Sequence, residues 1–333
     1  MKAFVLKQYK EPLQQVDVPE PVLGDHDVLV GVHAAGLNQL DEKIRLGEFK
    51  QILPYKLPQV LGHDVAGVVL KVGPKVRAFT PGDEVFARPG NRSIGTFAER
   101  IAVAEEDLAI KPATISMEEA GSLPLVALTA WQALVERGNV RPGQKVLIHA
   151  GAGGVGSIAI QLAKYLGATV ATTVSAGNKD FVRELGADVV VDYRSEDFVE
   201  ILHDYDLVLD SLGGENLERS LKVLKKGGKA IGIAGPPDAG FARQLGGNPV
   251  LLGAMTLLSS GIRRKARHLG VTYEFLFMHA DGSQLREIAA LIDAGDIRPV
   301  VGRVVPFDQT SDVLTALEKG GVRGKTVVSH LQP

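Results

Sequence analysis

The sequence predicts an α/β protein in which a β-rich region precedes a doubly wound parallel sheet. In residues 1–118, runs of β-branched residues such as 65–70 lie close together and are separated by turn signals such as Pro81-Gly82-Asp83. From residue 119 onward, strand-like runs alternate with helical runs that end at glycine. Alternation of this kind is typical of βαβ units, whose strands form a parallel sheet.

The elements of the second region follow one another in a regular order. Strands are predicted at residues 145–150, 169–174, 188–191, 207–210 and 229–233. Helices are predicted at 118–137, 155–166 and 179–185, each followed by a glycine. After about residue 281, a helix at 284–294 leads into short strands near 300–305 and 326–329, and we expect this tail to return to the first domain. We therefore predict one domain from residues 1–118 and 281–333 and a second from residues 119–280.

Composition excludes several functional classes. The chain has 333 residues, 45% of them hydrophobic, and its net charge of -2 gives no electrostatic reason to expect nucleic acid or an anionic membrane as a partner. It has no cysteine, which excludes disulfides, thiolate nucleophiles and cysteine-ligated metal sites. The longest apolar stretch, residues 249–258, is too short to span a bilayer, and the first residues predict a strand and not a signal peptide. We expect a cytoplasmic protein.

A glycine-rich turn is the sharpest motif. Gly151, Gly153 and Gly156 form G-x-G-x-x-G directly after one predicted strand and directly before a predicted helix. In dinucleotide-binding turns these glycines permit a tight turn, a close backbone approach to the pyrophosphate, and close helix–sheet packing. The helix N-terminus adds unpaired N–H groups and the positive end of the helix dipole. The turn, with Gly154 and Val155 inside it, predicts a dinucleotide site on a Rossmann domain.

The end of the next strand distinguishes NADP from NAD. An NAD site usually has Asp or Glu there, and a carboxylate would repel a 2′-phosphate. This strand ends at Ser175, and Lys179 follows four residues later. A hydroxyl and a cation favour NADPH, although Lys179 also has the simpler interpretation of a solvated lysine at a helix start.

Seven segments, spread along the chain, together resemble one superfamily. They are residues 35–41 (AGLNQLD), 61–69 (LGHDVAGVV), 72–85 (VGPKVRAFTPGDEV), 95–99 (GTFAE), 150–156 (AGAGGVG), 185–188 (LGAD) and 324–328 (GKTVV). The chain resembles the medium-chain dehydrogenase/reductase superfamily over essentially its whole length. Within it, the chain is most similar to the zinc-free quinone oxidoreductase (zeta-crystallin-like) and enone (2-alkenal) reductase branch.

The resemblance implies a GroES-like catalytic domain and a Rossmann domain that binds NADPH. It implies that Ser175, Lys179 and Tyr193 hold the 2′-phosphate, and that Thr129 and Ser211 touch the cofactor. It also implies a small enone or quinone substrate and a homodimer formed through residues 271–277, a strand-like run that would invite pairing at a sheet edge.

The resemblance also bears on metal. Zinc-dependent alcohol dehydrogenases of the superfamily carry Cys where this chain has Asn38, and the chain keeps their His at His63. With Asn at the first ligand position, we predict no metal and a structural hydrogen bond for His63. A metal-dependent alcohol dehydrogenase remains an alternative.

Without a metal, a hydrogen-bond donor must stabilise the negative charge that develops on the carbonyl oxygen when an enone accepts hydride. The resemblance implies that the candidates are Asn38, Lys43 and Tyr55, which stand in segments that line the cleft in the family. Each has an ordinary alternative: Asn38 as a helix cap, Lys43 as a solvated lysine, Tyr55 as a packed loop residue. We expect orientation of NADPH to supply most of the catalysis.

A second alternative is a non-catalytic NADPH-binding sensor or RNA-binding protein. The densest basic run, residues 261–268, contains Arg263, Arg264 and Arg267 and would contact an anion or RNA in that case. A solvated helix face is the favoured interpretation because the overall charge is close to neutral.

Overall fold

The computed structural model describes residues 1–53, 55–91, 93–317 and 320–330. The strands are β1 Lys2–Leu6, β2 Gln14–Asp17, β3 Asp27–Gly36, β4 Gln59–Val60, β5 Val65–Val72, β6 Glu84–Ala87, β7 Arg100–Ala104, β8 Leu108–Ile110, β9 Lys145–Ile148, β10 Thr169–Val174, β11 Val189–Asp192, β12 Tyr205–Asp210, β13 Leu224–Gly232, β14 Thr272–Phe275, β15 Val301–Pro306 and β16 Lys325–Ser329.

The α-helices are α1 Gln39–Arg45, α2 Met117–Gly121, α3 Pro124–Trp131, α4 Gly154–Tyr165, α5 Lys179–Glu184, α6 Phe198–Ile201, α7 Gly214–Ser220, α8 Ala239–Gln244, α9 Pro249–Leu258, α10 Ser260–His268, α11 Gly282–Asp293 and α12 Thr310–Ala316. Single turns of 3-10 helix lie at Glu105–Asp107, Ala176–Asn178, Leu221–Val223 and Phe307–Gln309, and a π-helix at Gln132–Arg137.

The chain divides into two compact units. Unit 1 contains Met1–Leu128 and His279–Pro333, and unit 2 contains Thr129–Met278. The division falls inside α3. The domain limits predicted from the sequence, 1–118 with 281–333 and 119–280, stay a prediction.

The strands of unit 1 pair antiparallel, except β15 and β16, which pair parallel. Its larger sheet has the order β15-β16-β3-β5-β6-β8, with β7 also paired to β3, and a smaller sheet has the order β2-β1-β4. Alternate residues of β3 are buried, from Val28 to Ala34, as expected where one face of a strand covers a core. The C-terminal strand β16 pairs antiparallel with β3, opposite residues 34–36. The tail of the chain therefore completes the sheet that begins near its N-terminus.

Unit 2 contains one six-stranded sheet in the order β11-β10-β9-β12-β13-β14. Every pairing in it is parallel. In chain order this is 3-2-1-4-5-6, the strand order of dinucleotide-binding sheets. The predicted α/β fold class, a GroES-like β-rich unit plus a Rossmann unit, is confirmed. The strand-like run at 271–277 forms β14, which lies at the edge of the sheet.

The helix predicted at residues 118–137 is wrong as one continuous element. The structure has α2, then a break at Ser122 and Leu123, then α3 and the π-helix. Pro124 begins α3 because proline lacks the N–H that a continuing helix requires and is well suited to the first helical position. Gly138 follows the last turn, as predicted.

Among the described residues, no helix is both long enough and apolar enough to cross a membrane. The apolar run at 249–258 is α9, a helix of ten residues.

Candidate cofactor and active site

The glycine turn of unit 2 connects β9 to α4. A Cβ on Gly156 would come within 2.4 Å of the Ala150 carbonyl oxygen, and one on Gly151 within 2.1 Å of Thr172 Oγ1. A Cβ on Gly153 would have one neighbour closer than 4 Å, at 3.3 Å. The outer glycines are therefore fixed by packing, whereas Gly153 leaves the turn uncrowded. Gly154 and Val155 open α4, whose first N–H groups have no intrahelical partner. This arrangement fits a pyrophosphate.

His149 supports the turn from inside the sheet. Its Nδ1 lies 2.9 Å from Thr173 Oγ1 and its Nε2 lies 2.9 Å from Ser220 Oγ. Burial lowers the pKa of His149 to about 4, so the ring is neutral at neutral pH. The residue between β9 and the turn is thus held by neutral hydrogen bonds.

The residues predicted to hold the 2′-phosphate follow two neighbouring strands. Val174 at the end of β10 is paired with Asp192 at the end of β11, so Ser175 and Tyr193 leave the sheet side by side. The Tyr193 N–H donates to the Val174 carbonyl oxygen at 3.1 Å. Lys179 begins α5 and forms a 2.9 Å ion pair with Glu196. The structure therefore brings the three predicted residues to one corner of the sheet.

Two residues of this corner were missed in the sequence. Glu196 pairs with Lys179 and also accepts the Asp192 N–H at 2.6 Å; these hydrogen bonds outweigh its slight desolvation and lower the pKa of its carboxyl. Arg194 lies over the Tyr193 ring, 5.7 Å from its centroid. The signal for both was their place in the turn after β11.

The other two predicted cofactor contacts also belong to unit 2. Thr129 is buried on α3, and Ser211 follows β12, with its hydroxyl 3.4 Å from the His149 carbonyl oxygen. Asp210 organises this second turn by accepting the Gly213 N–H at 2.6 Å. The roles of Thr129 and Ser211 stay a prediction.

Unit 1 contains a buried polar cluster around Asn38. The Asn38 side chain donates to Asp64 Oδ2 at 2.9 Å, and its amide oxygen accepts from Lys325 Nζ. Lys325 Nζ lies 3.1 Å from the same Asp64 oxygen. The other oxygen of Asp64 accepts the Leu125 N–H at 2.6 Å, at the start of α3. The amide and both charges thus have partners inside the protein.

A second part of the cluster joins α1 to the segment before β5. Asp41, on α1, accepts the Asn38 N–H at 3.0 Å, and its other oxygen lies 2.6 Å from His63 Nδ1. Both side chains are fully buried, and His63 Nε2 has no hydrogen-bond partner among the described residues. The predicted structural hydrogen bond of His63 is present.

The other two catalytic candidates are both partly buried. Lys43 is partly buried on α1. Tyr55 lies in the loop between α1 and β4, and its hydroxyl is buried without a partner among the described residues. Burial raises the pKa of Tyr55 to about 12 against the opposing charge of Arg88, so the hydroxyl remains protonated at neutral pH.

Comparisons with known proteins agree with this architecture. Residues 24–113 match the family "Alcohol dehydrogenase GroES-like domain", and residues 185–328 match "Zinc-binding dehydrogenase". The mitochondrial NAD(P)H oxidoreductase RTN4IP1 of Danio rerio is 36% identical over 92% of this chain and 84% of its own length. The chloroplastic NADPH-dependent alkenal/one oxidoreductase of Arabidopsis thaliana is 35% identical over 98% and 79%. The structure of a quinone oxidoreductase from Coxiella burnetii matches with a TM-score of 0.87 and 32% identity over 99% of both chains.

The chain belongs to the medium-chain dehydrogenase/reductase superfamily. The predicted branch, quinone and enone oxidoreductases, is confirmed, as is the prediction of an NADPH-dependent enzyme.

One family description names zinc, and the residues of this member do not fit a catalytic zinc ion. Asn38, at the position where zinc-dependent members have Cys, has its amide bonded to Asp64 and Lys325. One nitrogen of His63 is bonded to Asp41. Among the described residues, no group of three or more His, Asp or Glu side chains is placed to hold a metal ion.

Sequence reasoning missed the partners of Asn38 and His63. Asp41 and Asp64 both stand in the segments that carried the family resemblance, but their spacing does not show which side chain each contacts. Lys325 is 287 positions from Asn38, and only the pairing of β16 with β3 brings the two together.

Proposed function

We propose that the enzyme uses NADPH to reduce small electrophilic carbonyl compounds, either α,β-unsaturated ketones and aldehydes or quinones, by hydride transfer without a metal. The observation that carries the proposal is the combination of a dinucleotide turn in unit 2 with a polar cluster in unit 1 that does not fit zinc. Relatives named as alkenal/one and quinone oxidoreductases support this choice of acceptor.

Bound NADPH supplies the hydride, and the residues of the chain orient it and stabilise the product of the transfer. Gly151, Gly153 and Gly156 would position the pyrophosphate, and Ser175 and Lys179 the 2′-phosphate. When hydride reaches the β-carbon of an enone, negative charge grows on the carbonyl oxygen, and a proton from solvent then completes the saturated product. A protonated hydroxyl placed at that oxygen lowers the barrier.

Among the three catalytic candidates, Tyr55 is our choice for that donor. Its hydroxyl is buried and unpartnered among the described residues, whereas the Asn38 amide already donates to Asp64 and Gly36. Because orientation of NADPH supplies most of the rate, we expect single replacement of Asn38, Lys43 or Tyr55 to cost less than about a thousandfold. A larger loss at any one of them would contradict this division of roles.

The decisive experiment is NADPH oxidation by metal-free protein with a linear 2-alkenal, a cyclic enone, an ortho-quinone and a para-quinone, with NADH alongside. We expect turnover with NADPH that chelators leave unchanged. Activity restored only by added zinc would favour an alcohol dehydrogenase. NADPH binding without any turnover would favour a sensor.

We also propose a cytoplasmic homodimer. Strand β14 ends the sheet of unit 2, and an unpaired edge strand can pair with its copy. Light scattering of the wild type, which gives the mass of the assembly, tests this. A mass of one chain for the wild type would contradict the dimer.

For α10 the structure supports the solvated face: Ile262 and Ala266 are buried, and Arg263, Arg264 and Arg267 are exposed.

A further inference from the structure

Buried polar atoms without partners are concentrated at one end of the β5–β6 strand pair. Five such side-chain atoms occur among the described residues, and four belong to Tyr55, His63, Arg88 and Thr96. Ala87 pairs with Val65, so Arg88 leaves β6 opposite the His63-Asp64 segment. Thr96 Oγ1 lies against Gly62, where a Cβ would be only 2.3 Å away. We call these four residues the unpartnered cluster. Buried polar groups normally have partners, so this concentration requires an explanation.

Arg88 is the unusual member of the unpartnered cluster. Unit 1 has four buried cations among its described residues, and three have a carboxylate nearby: Arg45 at 2.5 Å from Glu42, Lys111 at 3.2 Å from Glu84, and Lys325 at 3.1 Å from Asp64. Arg88 is fully buried and has no ion-pair partner in the part of the chain that the structure describes.

The hydrogen bonds of Arg88 go to neutral oxygens. One terminal nitrogen donates to the Pro89 carbonyl at 2.9 Å, the other donates to the Asn91 side chain, and Nε–H has no acceptor among the described residues. Burial lowers the pKa of the guanidinium, although neighbouring groups oppose the shift. A buried guanidinium remains charged, and a buried charge without a counter-ion is costly.

The nearest carboxylates are occupied by other partners. Asp41 is bonded to His63 and to the Asn38 N–H, and Asp64 to Asn38, Lys325 and Leu125. Asp107 accepts the Gly90 N–H at 2.8 Å. The protein therefore holds Arg88 in place through neutral oxygens, and the charges of Asp41, Asp64 and Asp107 act on it without a direct ion pair among the described residues. This is the arrangement expected of a residue whose counter-ion arrives with a ligand.

We propose that Arg88 is the counter-ion of a carboxylate on the substrate, so that the preferred acceptors are enones that also carry a carboxylate. The inference rests on the proposed function, and it places the carboxylate near the hydroxyl of Tyr55. Among neighbouring charged groups, Arg88 has the largest effect on the pKa of Tyr55, and Tyr55 has the largest effect on the pKa of Arg88. The two side chains are therefore close together. In a 4-oxo-2-enoate, the ketone oxygen would accept from Tyr55 while the carboxylate accepts Nε–H of Arg88. Since Arg88 is fully buried, the segments that cover it must move to admit the ligand.

The test compares 4-oxopent-2-enoate with its methyl ester, which has the same enone without the charge. In both, NADPH and one solvent proton reduce the carbon–carbon double bond, and NADP⁺ is released. We expect kcat/KM of the wild type to be at least about tenfold higher for the acid, since Arg88 is already desolvated and the carboxylate supplies the direct charge partner that it lacks. Arg88→Met should lower kcat/KM for the acid about a hundredfold and leave the ester nearly unchanged. Arg88→Lys should retain part of the preference.

The outcomes separate the two proposals. Arg100→Met, at an exposed arginine paired with Glu20, serves as the matched control and should keep the preference of the wild type. Equal turnover of acid and ester by the wild type would overturn the carboxylate site while leaving the proposed function intact. An equal loss of both substrates in Arg88→Met would overturn the carboxylate site as well. Failure to oxidise NADPH with either substrate or with any member of the enone and quinone panel would overturn the proposed function itself.

Discussion

The glycine turn of unit 2 and the Asn38 cluster of unit 1 are held in place by different kinds of contact. The turn is made of backbone from a segment of seven residues, 150–156, and its outer glycines, Gly151 and Gly156, are needed because a side chain would collide with Thr172 or Ala150. The Asn38 cluster is made of side chains from α1 and its N-cap, the segment before β5, and β16, separated by up to 287 positions. A site made of local backbone tolerates changes elsewhere in the chain. A site made of distant charges depends on every strand that carries them.

Removal of a charge from the Asn38 cluster should have the largest effect and tests this difference most directly. Lys325→Met should lower the apparent free energy of unfolding by about 3–5 kcal/mol, because it leaves Asp64 buried with its charge uncompensated. Urea unfolding followed by circular dichroism measures the loss. Lys75→Met is the matched control, since Lys75 and Asp25 form a 2.9 Å pair with both side chains 59% exposed, and it should cost less than about 1 kcal/mol. Similar losses for both variants would show that the buried Lys325–Asp64 pair stabilises the fold no more than the exposed Lys75–Asp25 pair does.

The stability that neutral His149 contributes beside the glycine turn should decrease in acid. The pKa of His149 is lowered to about 4 in the folded protein, whereas an unfolded histidine titrates near 6.5. The unfolded chain therefore gains the proton first as pH falls. The stability from this group is complete above about pH 6.5 and is lost progressively toward pH 4, by about 3 kcal/mol in total.

Urea midpoints between pH 7 and pH 4 measure that slope. His149→Gln, which keeps a donor and an acceptor for Thr173 and Ser220, should flatten it. His268→Gln, at an exposed position on α10, should leave it unchanged. An unchanged slope in His149→Gln would assign the acid sensitivity to another group.

The glycine turn was readable from the sequence because its chemistry depends on consecutive residues. Strand β10 was predicted with its observed limits, and α4 and α5 within one residue. Only part of the Asn38 cluster could be predicted. Asn38 and His63 were identified from the sequence, but their partners depend on how the strands pair. Arg88 was not predicted at all, because an arginine after a strand carries no local sign of burial. The break before Pro124 was missed because apolar spacing continues on both sides of it.

The turn itself can be tested with one methyl group. Gly156→Ala places a Cβ 2.4 Å from the Ala150 carbonyl oxygen, so the turn must shift and NADPH should bind about a hundredfold more weakly. Calorimetric titration measures the dissociation constant. Gly253→Ala is the control, because its Cβ would meet nothing within 4 Å on α9. Unchanged binding in Gly156→Ala would show that close packing at this glycine is not required for the cofactor.

The smallest effect concerns the side-chain charge of Lys179 at the predicted 2′-phosphate site. Lys179→Gln should weaken NADPH binding about tenfold and leave NADH unchanged, because only NADPH has the 2′-phosphate. Glu196→Gln should act in the opposite direction, since Glu196 competes with the phosphate for Lys179, while an amide oxygen still accepts the Asp192 N–H. Titration of both cofactors against both variants at low and physiological salt measures this. If Glu196→Gln weakens NADPH binding, then Glu196 positions Lys179 for the phosphate and does not compete with the phosphate. The 2′-phosphate site would then resemble the Asn38 cluster, because both would depend on an ion pair formed before the ligand binds.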